Sequence, residues 1–138
     1  MELNSSIHKI GAIILHDGKL LVLRKYTADD RSECIIPGGR VEGDETHEQT
    51  LERELTEELG VQMVEAKYFG SFDDIAVFER VPIHMDVYTV SIDGAPASKS
   101  EIKECVWIGR DYHTQGVQLG SVLERYVVPR LIAEGAIA

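Results

Sequence analysis

Runs of apolar residues separated by turn residues predict β-strands in the first part of the chain. Ile7–Leu15 and Lys19–Lys25 are two such runs, and the Asp17-Gly18 pair between them is typical of a type I′ hairpin turn. Consecutive apolar residues at Leu20–Leu23 indicate a strand that is covered on both faces. A polar loop and a short apolar strand are predicted next: Tyr26–Glu33 and Cys34–Ile36.

The stretch after this strand has the period and the end signals of an amphipathic α-helix. Thr46 is a suitable N-cap residue, and Gln49 three positions later completes a capping box. Gly60 suits the left-handed conformation that often ends a helix, so the helix is predicted to span His47–Leu59. Leucines at every fourth position give it an apolar stripe that packs on a core: Leu51, Leu55 and Leu59.

The second half of the chain predicts three more strands and one more helix. Pro129 should kink or interrupt that helix. One helix between strands and one after them indicates an α/β or α+β layer architecture. The predicted segments are the strands Val61–Asp73, Ile83–Ser91 and Glu101–Gly109, the loop Asp73–Val81, and a helix from about Gln118 to Glu134.

Two groups of polar residues on these strands are candidate substrate contacts. Alternation along Ile83–Ser91 places Tyr88 on the same face as His84 and Asp86, and this face either lines a polar pocket or is the solvated side of a sheet. Arg24 and Lys25 end the second strand, where they are either ordinary charged strand-end residues or contacts to a phosphate.

Composition and charge narrow the class of protein. The 138 residues are 43% hydrophobic and 28% charged, which predicts one globular domain over residues 1–138. The net charge of −10 argues against a general nucleic-acid or membrane-binding surface. Cys34 and Cys105 are expected to be reduced thiols, because the N-terminal stretch lacks the pattern of a secretory signal. We therefore expect a cytoplasmic protein.

Glutamates crowd one side of the predicted helix. Glu54, Glu57 and Glu58 stand at positions i, i+3 and i+4, where like charges repel by roughly 0.2–0.5 kcal/mol per pair. They either form a solvated acidic face or hold a cation. Mg²⁺ prefers oxygen ligands and is commonly held by carboxylates together with substrate phosphates. An acidic protein that acts on a phosphate compound needs such a local cation.

The whole stretch Pro37–Val61 resembles a known family motif. Read from Gly39, the spacing of Glu45, Arg53-Glu54-Leu55, Glu57-Glu58 and Gly60-Val61 matches a complete Nudix box over Gly39–Val61. The resemblance implies an α/β/α sandwich with a central mixed β-sheet. It also implies a hydrolase that uses Mg²⁺, with Mn²⁺ as a substitute, to cleave a nucleoside diphosphate linked to another moiety.

The resemblance also assigns roles to residues. A backbone carbonyl of Gly39, or of Gly38, is expected to join the metal with Glu54, Glu57 and Glu58, and Glu54 is the first choice for general base. Relatives that take the base from a later segment leave Glu101 and Glu104 as alternatives. Helical geometry, about 100° per residue, turns Arg53 away from the carboxylates, so Arg53 is expected to pair with Glu45 and anchor the helix, which Gly60 ends.

The substrate is left open by the motif, because the leaving groups are recognised by variable loops. Small size favours nucleoside triphosphates, ordinary or oxidised. ADP-ribose, other nucleoside diphosphate sugars and dinucleoside polyphosphates are alternatives. A non-catalytic sensor module and an isoprenoid diphosphate isomerase are alternatives from other classes, and the oligomeric state is open, a homodimer included.

Overall fold

The computed structural model describes residues 7–25, 33–75 and 81–138, and their strands and helices follow the predicted order. The predicted loop Tyr26–Glu33 and the loop residues Phe78, Glu79 and Arg80 lie almost entirely outside these ranges. The strands are β1 (Ile7–Ile13), β2 (Leu15–His16), β3 (Lys19–Lys25), β4 (Cys34–Ile35), β5 (Gly38–Gly39), β6 (Gln62–Ile75), β7 (Pro82–Asp93) and β8 (Ile102–Ile108). The α-helices are α1 (His47–Leu59) and α2 (Val128–Ala133).

The strands form two four-stranded sheets. In the first sheet the order is β5-β1-β7-β6, with β1 parallel to β7 and the other pairs antiparallel. In the second sheet β3 pairs with β2, β4 and β8, always antiparallel. The first sheet is therefore mixed, and the predicted α/β fold class with a mixed sheet and two helical elements is confirmed.

The predicted hairpin is present, but its first strand is shared between the two sheets. Asp17 and Gly18 have φ angles of 52° and 74°, as a type I′ turn requires. The run predicted as one strand, Ile7–Leu15, breaks at Ile14, so β1 belongs to one sheet and β2 to the other. The hydrophobic pattern does not reveal this break, because the residues on both sides of Ile14 are apolar.

Two hydrophobic clusters lie on opposite faces of the strands. Leu20 and Val22 of β3 pack in the cluster that includes the C-terminal helix, whereas Leu21 and Leu23 pack in the cluster that includes α1. All four side chains have no exposed surface, so the predicted burial of β3 on both faces is confirmed. The cluster beneath α1 receives its leucine stripe: Leu51, Leu55 and Leu59.

Helix α1 has the predicted ends, and the C-terminal helix is more irregular than predicted. Thr46 and Gln49 form both hydrogen bonds of the capping box, and Gly60 ends α1 with φ 68°. The C-terminal helix contains a π-helical turn, Leu123–Val127, directly before α2. Pro129 lies just after this turn, where its missing N–H would interrupt an ordinary α-helical ladder.

Strand β6 is longer than predicted, because it continues to Ile75 instead of ending at Asp73. Its register against β7 shifts between Met63 and Glu65 and between Tyr68 and Gly70, which accounts for its mixed polar pattern. No helix in residues 7–25, 33–75 or 81–138 is long and apolar enough to cross a membrane.

Candidate active site

The turn Pro37–Gly39 is held directly on the first sheet. Gly38 and Gly39 pair with Gly11 and Ile10 of β1, and the N–H of Ala12 donates to the carbonyl of Pro37 at 2.8 Å. Gly38 has φ 143°, and a Cβ placed on it would lie 2.0 Å from the carbonyl oxygen of Ile10. Only glycine fits there, and the turn consequently lies close against β1.

Glu58 of α1 is buried against this turn, with only 3% of its surface exposed. The N–H of Gly38 donates to Glu58 Oε1 at 3.0 Å. The other oxygen, Oε2, is buried and has no hydrogen-bond partner among the described residues. Burial raises the pKa of Glu58 to about 7, and the charge of Glu54 adds to the rise, although the Gly38 N–H opposes it.

Glu54 lies beside the same turn, also with one oxygen held by the protein. Nη1 of Arg53 donates to Glu54 Oε1 at 3.1 Å. A Cβ placed on Gly39 would lie 2.2 Å from Glu54 Oε2, so the glycine backbone and this carboxylate are in close contact. Burial raises the pKa of Glu54, and the neighbouring Arg53 guanidinium opposes the rise.

Glu57 is more exposed than the other two glutamates. Its side chain is 54% exposed, and its Oε1 lies 3.6 Å from Nη1 of Arg53. Within the described part of the chain, Glu54, Glu57 and Glu58 do not bring one oxygen each within 4.8 Å of the others. Two of the carboxylates therefore line the glycine turn, while the third lies at its solvent side.

This oxygen-rich arrangement fits a magnesium ion. Two carboxylates converge on a backbone turn, and one buried oxygen, Glu58 Oε2, lacks a protein partner. A buried carboxylate oxygen without a hydrogen bond is costly, and a hard cation would satisfy it. Glu54, Glu57, Glu58 and a carbonyl of the Gly38–Gly39 turn are the residues that would hold Mg²⁺.

Arg53 makes the predicted pair with Glu45, but the expectation that it points away from the carboxylates is wrong. Its Nε and Nη2 donate to the two oxygens of Glu45 at 2.7 and 2.9 Å, and Nη2 also reaches the carbonyl of Arg40 at 3.0 Å. Its Nη1 turns back to Glu54 and Glu57. Glu57 is at the i+4 position from Arg53 and therefore lies on the same side of the helix, and the wide guanidinium also reaches Glu54.

We expect the Arg53–Glu45 pair to stabilise the protein at neutral pH and to lose this effect in acid. Arg53 and the N–H of Glu42 hold the pKa of Glu45 down to about 2, below its unfolded value of about 4.3. The stabilisation is therefore present above pH about 4.3 and is lost as the pH falls towards 2. Glu45→Gln should lower the unfolding midpoint at neutral pH, with the difference from wild type vanishing near pH 2.

Denaturant unfolding at several pH values measures this effect, with Glu48→Gln on the exposed first turn of α1 as the control. An equal difference between wild type and Glu45→Gln at every pH would show that the carboxylate charge of Glu45 does not stabilise the fold.

The predicted phosphate contacts and the alternative bases pair with each other on β3 and β8. Arg24 Nη1 lies 3.0 Å from Glu104 Oε1, and Lys25 Nζ lies 3.3 Å from Glu101 Oε1. Lys25 lowers and Glu101 raises the pKa of Glu58, so this second pair lies within electrostatic range of the site. Glu104 instead raises the pKa of the Cys34 and Cys105 thiols, after burial, which is the main cause.

Tyr88, the remaining predicted substrate contact, lies in a different polar group. Its hydroxyl is 2.8 Å from Nδ1 of His47, and its ring meets that of Tyr68 edge-on. Burial raises the pKa of this phenol, with the charge of Asp86 adding to the rise.

Sequence reasoning missed a small pocket between the first sheet and the start of the C-terminal helix. Its volume is about 120 Å³. Ile35, which lines it, lies two residues before the Pro37–Gly39 turn in the sequence. A larger cavity of about 680 Å³ beside Trp107 contains none of the box glutamates. The smaller pocket is lined by Ile7, Lys9, Glu33, Ile35, Ile83, Met85 and residues 120–123.

The two glycines of the turn should respond differently to alanine. Gly39→Ala meets the end of a movable side chain, so we expect the fold to persist while Glu54 is displaced and turnover falls at least tenfold. Gly38→Ala meets the backbone of Ile10 at a positive φ, so it should lower the melting temperature as well. Melting curves and turnover of both variants test this. Normal turnover in Gly39→Ala would show that Glu54 need not be held against the turn.

A known protein family matches the part of the chain that carries this site. The family model described as the NUDIX domain matches residues 8–118. The matched segment contains both glycines of the turn, all three glutamates, and the alternative bases Glu101 and Glu104.

Individual relatives agree with the family match. The chain is 39% identical over 102 residues to the CTP pyrophosphohydrolase of Escherichia coli K12, covering 73% of this chain and 74% of that protein. It is 30% identical over 73 residues to the 8-oxo-dGTP diphosphatase of Haemophilus influenzae, covering 51% and 54%. The solution structure of the E. coli ORF135 protein superposes with a TM-score of 0.70 at 29% identity, covering 95% of this chain and 89% of that one.

Proposed function

The chain belongs to the NUDIX domain family of hydrolases, and from that premise we propose that it hydrolyses nucleoside triphosphates to a nucleoside monophosphate and pyrophosphate with the help of Mg²⁺. The observation that carries the proposal is the pair of glutamates at the Gly38–Gly39 turn, of which Glu58 is buried and Glu54 is half-buried. Glu58 Oε1 accepts a hydrogen bond from the Gly38 N–H, and its Oε2 is buried without a partner among the described residues. Glu54 Oε1 accepts from Arg53, and its Oε2 lies against Gly39.

The reaction is hydrolysis of the bridge between the α- and β-phosphates, which separates a nucleoside monophosphate from pyrophosphate. The water oxygen bonds to phosphorus, the bridging P–O bond breaks, and the released proton passes to a carboxylate. Mg²⁺ among the glutamates would neutralise the phosphates and lower the pKa of a bound water. Arg53 holds Oε1 of Glu54, so Oε2 of Glu54 is the atom placed to take the proton. Lys25 would offset the charge of the phosphates.

The small pocket lined by Ile35 is the proposed site for the nucleotide base. Its apolar walls from Ile35, Ile83 and Met85 suit the flat face of a base, while Lys9 and Glu33 supply polar groups for its edge. At about 120 Å³ it is smaller than the roughly 300–1,000 Å³ of common ligand pockets, which favours a single pyrimidine ring. A cytidine nucleotide, the substrate named for the relative from E. coli, is therefore the first compound to test.

The structure gives no support to an isomerase that uses a reactive cysteine. Burial raises the pKa of both Cys34 and Cys105, so each thiol is mostly protonated near neutral pH. Cys34 is also fully buried. A sensor module without catalysis is disfavoured because all three box carboxylates are present in the chain.

A substrate screen tests the proposal. CTP, dCTP, other nucleoside triphosphates, ADP-ribose and a dinucleoside polyphosphate are incubated with Mg²⁺, and pyrophosphate and phosphate are measured separately. We expect CTP or dCTP to be cleaved fastest, with release of pyrophosphate. Faster cleavage of ADP-ribose or the dinucleoside compound would overturn the assigned substrate, and full turnover in excess chelator would overturn the role of the metal.

A further inference from the structure

A second cluster of chemistry-bearing side chains lies on the first sheet, on the face that α1 covers. The parallel register of β1 and β7 places His8 directly opposite His84, and Asp86 lies two residues further along the same face of β7. His8 Nε2 is 2.7 Å from Asp86 Oδ2, and His84 Nε2 is 3.3 Å from Asp86 Oδ1. The two imidazoles therefore converge on one buried carboxylate.

We propose that His8, His84 and Asp86 form a binding site for a zinc-class transition metal ion, separate from the carboxylate site. One ligand atom from each residue lies within 4.8 Å of the other two. A tetrahedral zinc ion with bonds of about 2.0 Å separates its ligands by roughly 3.3 Å, which is close to the 2.7 and 3.3 Å between Asp86 and the two imidazoles. Three protein ligands leave a fourth position for water.

The residues around the cluster are arranged as the outer shell of a metal site. Nδ1 of His84 lies 2.8 Å from Asp73 Oδ1, so its Nε2 is the nitrogen presented to Asp86. A carboxylate on the far nitrogen of a histidine is the usual support of a metal-bound imidazole. The hydroxyl of Ser71 donates to Asp86, and the β6–β7 register places Ser71 and Asp73 directly opposite Asp86 and His84.

The histidine cluster is accessible to solvent and lies apart from the glutamates of the Nudix box, which favours a distinct site. The side chains of His8 and His84 are 53% and 39% exposed, while that of Asp86 is 12% exposed, so an ion can enter from solvent to a buried anchor. His47, on the first turn of α1, borders the cluster, with Nε2 at 3.9 Å from Asp86 Oδ2. A rise of 1.5 Å per residue puts Glu54 about 10 Å further along the helix.

The donor atoms also distinguish the two sites by metal. The carboxylate site offers only oxygen and suits Mg²⁺, whereas two imidazole nitrogens and one carboxylate suit Zn²⁺ or Co²⁺. Excess Mg²⁺ should therefore fill the carboxylate site without displacing zinc from the histidine cluster.

Zinc titration of the untagged full chain in excess Mg²⁺ tests the proposal. We expect one Zn²⁺ per chain by calorimetry, with affinity at least tenfold lower in His8→Gln and in His84→Gln. Asp73→Asn should weaken binding roughly tenfold by releasing His84. His113→Gln is the matched control, because His113 is exposed and lies 3.3 Å from a carboxylate oxygen of Glu124 but has no second histidine described beside it.

Two further measurements keep the test independent of folding and of activity. Zn²⁺ should raise the melting temperature of the wild type but not of His8→Gln, whose exposed side chain can be replaced without disturbing the core. Co²⁺ in place of Zn²⁺ should show visible ligand-field absorption that is lost in the same variants. No stoichiometric zinc binding in excess Mg²⁺, unchanged affinity in both histidine variants, or an equal loss in His113→Gln would each overturn the site.

Discussion

Glu58→Gln should lower turnover by about two to three orders of magnitude while it stabilises the metal-free fold at neutral pH. The amide keeps the shape of the side chain and retains an oxygen that can accept the Gly38 N–H. It lacks the negative charge that a hard cation requires. Glu57→Gln should reduce turnover similarly, although its exposure makes a stability change small.

The stability effect of Glu58 follows from burial. Its pKa rises from about 4.3 in the unfolded chain to about 7 in the folded one. The contribution of Glu58 to the stability of the metal-free wild type is therefore fully present below pH about 4.3 and is lost as the pH rises towards 7, by an amount on the order of 3 kcal/mol. Glu58→Gln should lack this loss, so its advantage over wild type appears only as the pH rises.

Turnover, Mn²⁺ affinity and melting temperature in chelator measure both effects, with Glu52→Gln on the exposed side of the same helix as the control. Near-normal turnover in both Glu57→Gln and Glu58→Gln would defeat the assignment of these residues to the metal. A metal-free Glu58→Gln protein that is less stable than wild type at pH 7 would contradict the burial argument.

Local signals explain why α1 could be predicted from the sequence to the residue. The capping box at Thr46 and Gln49 and the glycine at position 60 are interactions within a few residues, and all of them form. The strand order has no such local signal. The chain passes between sheets at Ile14 within one apolar run, and only long-range pairing decides where the first strand ends.

Sequence reasoning did not bring together the side chains that meet only because distant strands pair. His8 and His84 are 76 positions apart, and their meeting depends on the parallel β1–β7 register. The alternation along β7 did place His84, Asp86 and Tyr88 on one face, but nothing local indicates that His8 and His47 complete the group. The small pocket lined by Ile35 was missed for the same reason, because its walls come from separate segments of the chain.

The angle around the helix was misapplied in the prediction for Arg53. Glu57 follows Arg53 at i+4, only about 40° around the helix, so helical geometry places these two residues side by side. The wide guanidinium also lets the same side chain bind Glu45 and reach Glu54. Arg53 thus connects the loop before α1 to the carboxylate site. Contact with the glycine turn and greater burial, rather than contact with an arginine, separate Glu54 from Glu101 and Glu104 as candidates for the general base.

Glu54→Gln should reduce turnover by roughly 10²–10⁴-fold while the complex of metal and substrate still forms, because we assign Glu54 as the base. Its Oε1 is held by Arg53 at 3.1 Å, and burial raises its pKa, which makes the carboxylate a stronger base. Glu101 and Glu104 are 64% and 48% exposed and are paired with Lys25 and Arg24.

The comparison of Glu54→Gln, Glu101→Gln and Glu104→Gln distinguishes these roles. We expect losses below about tenfold for the two later glutamates, because exposed ion pairs are worth little and neither carboxylate contacts the glycine turn in the structure. Turnover, Mn²⁺ affinity and melting temperature are measured for all three. A large loss only at Glu101 or Glu104, with Glu54→Gln still active, would move the base to β8 or the residue before it. Loss of Mn²⁺ binding in Glu54→Gln would instead make Glu54 chiefly a metal ligand.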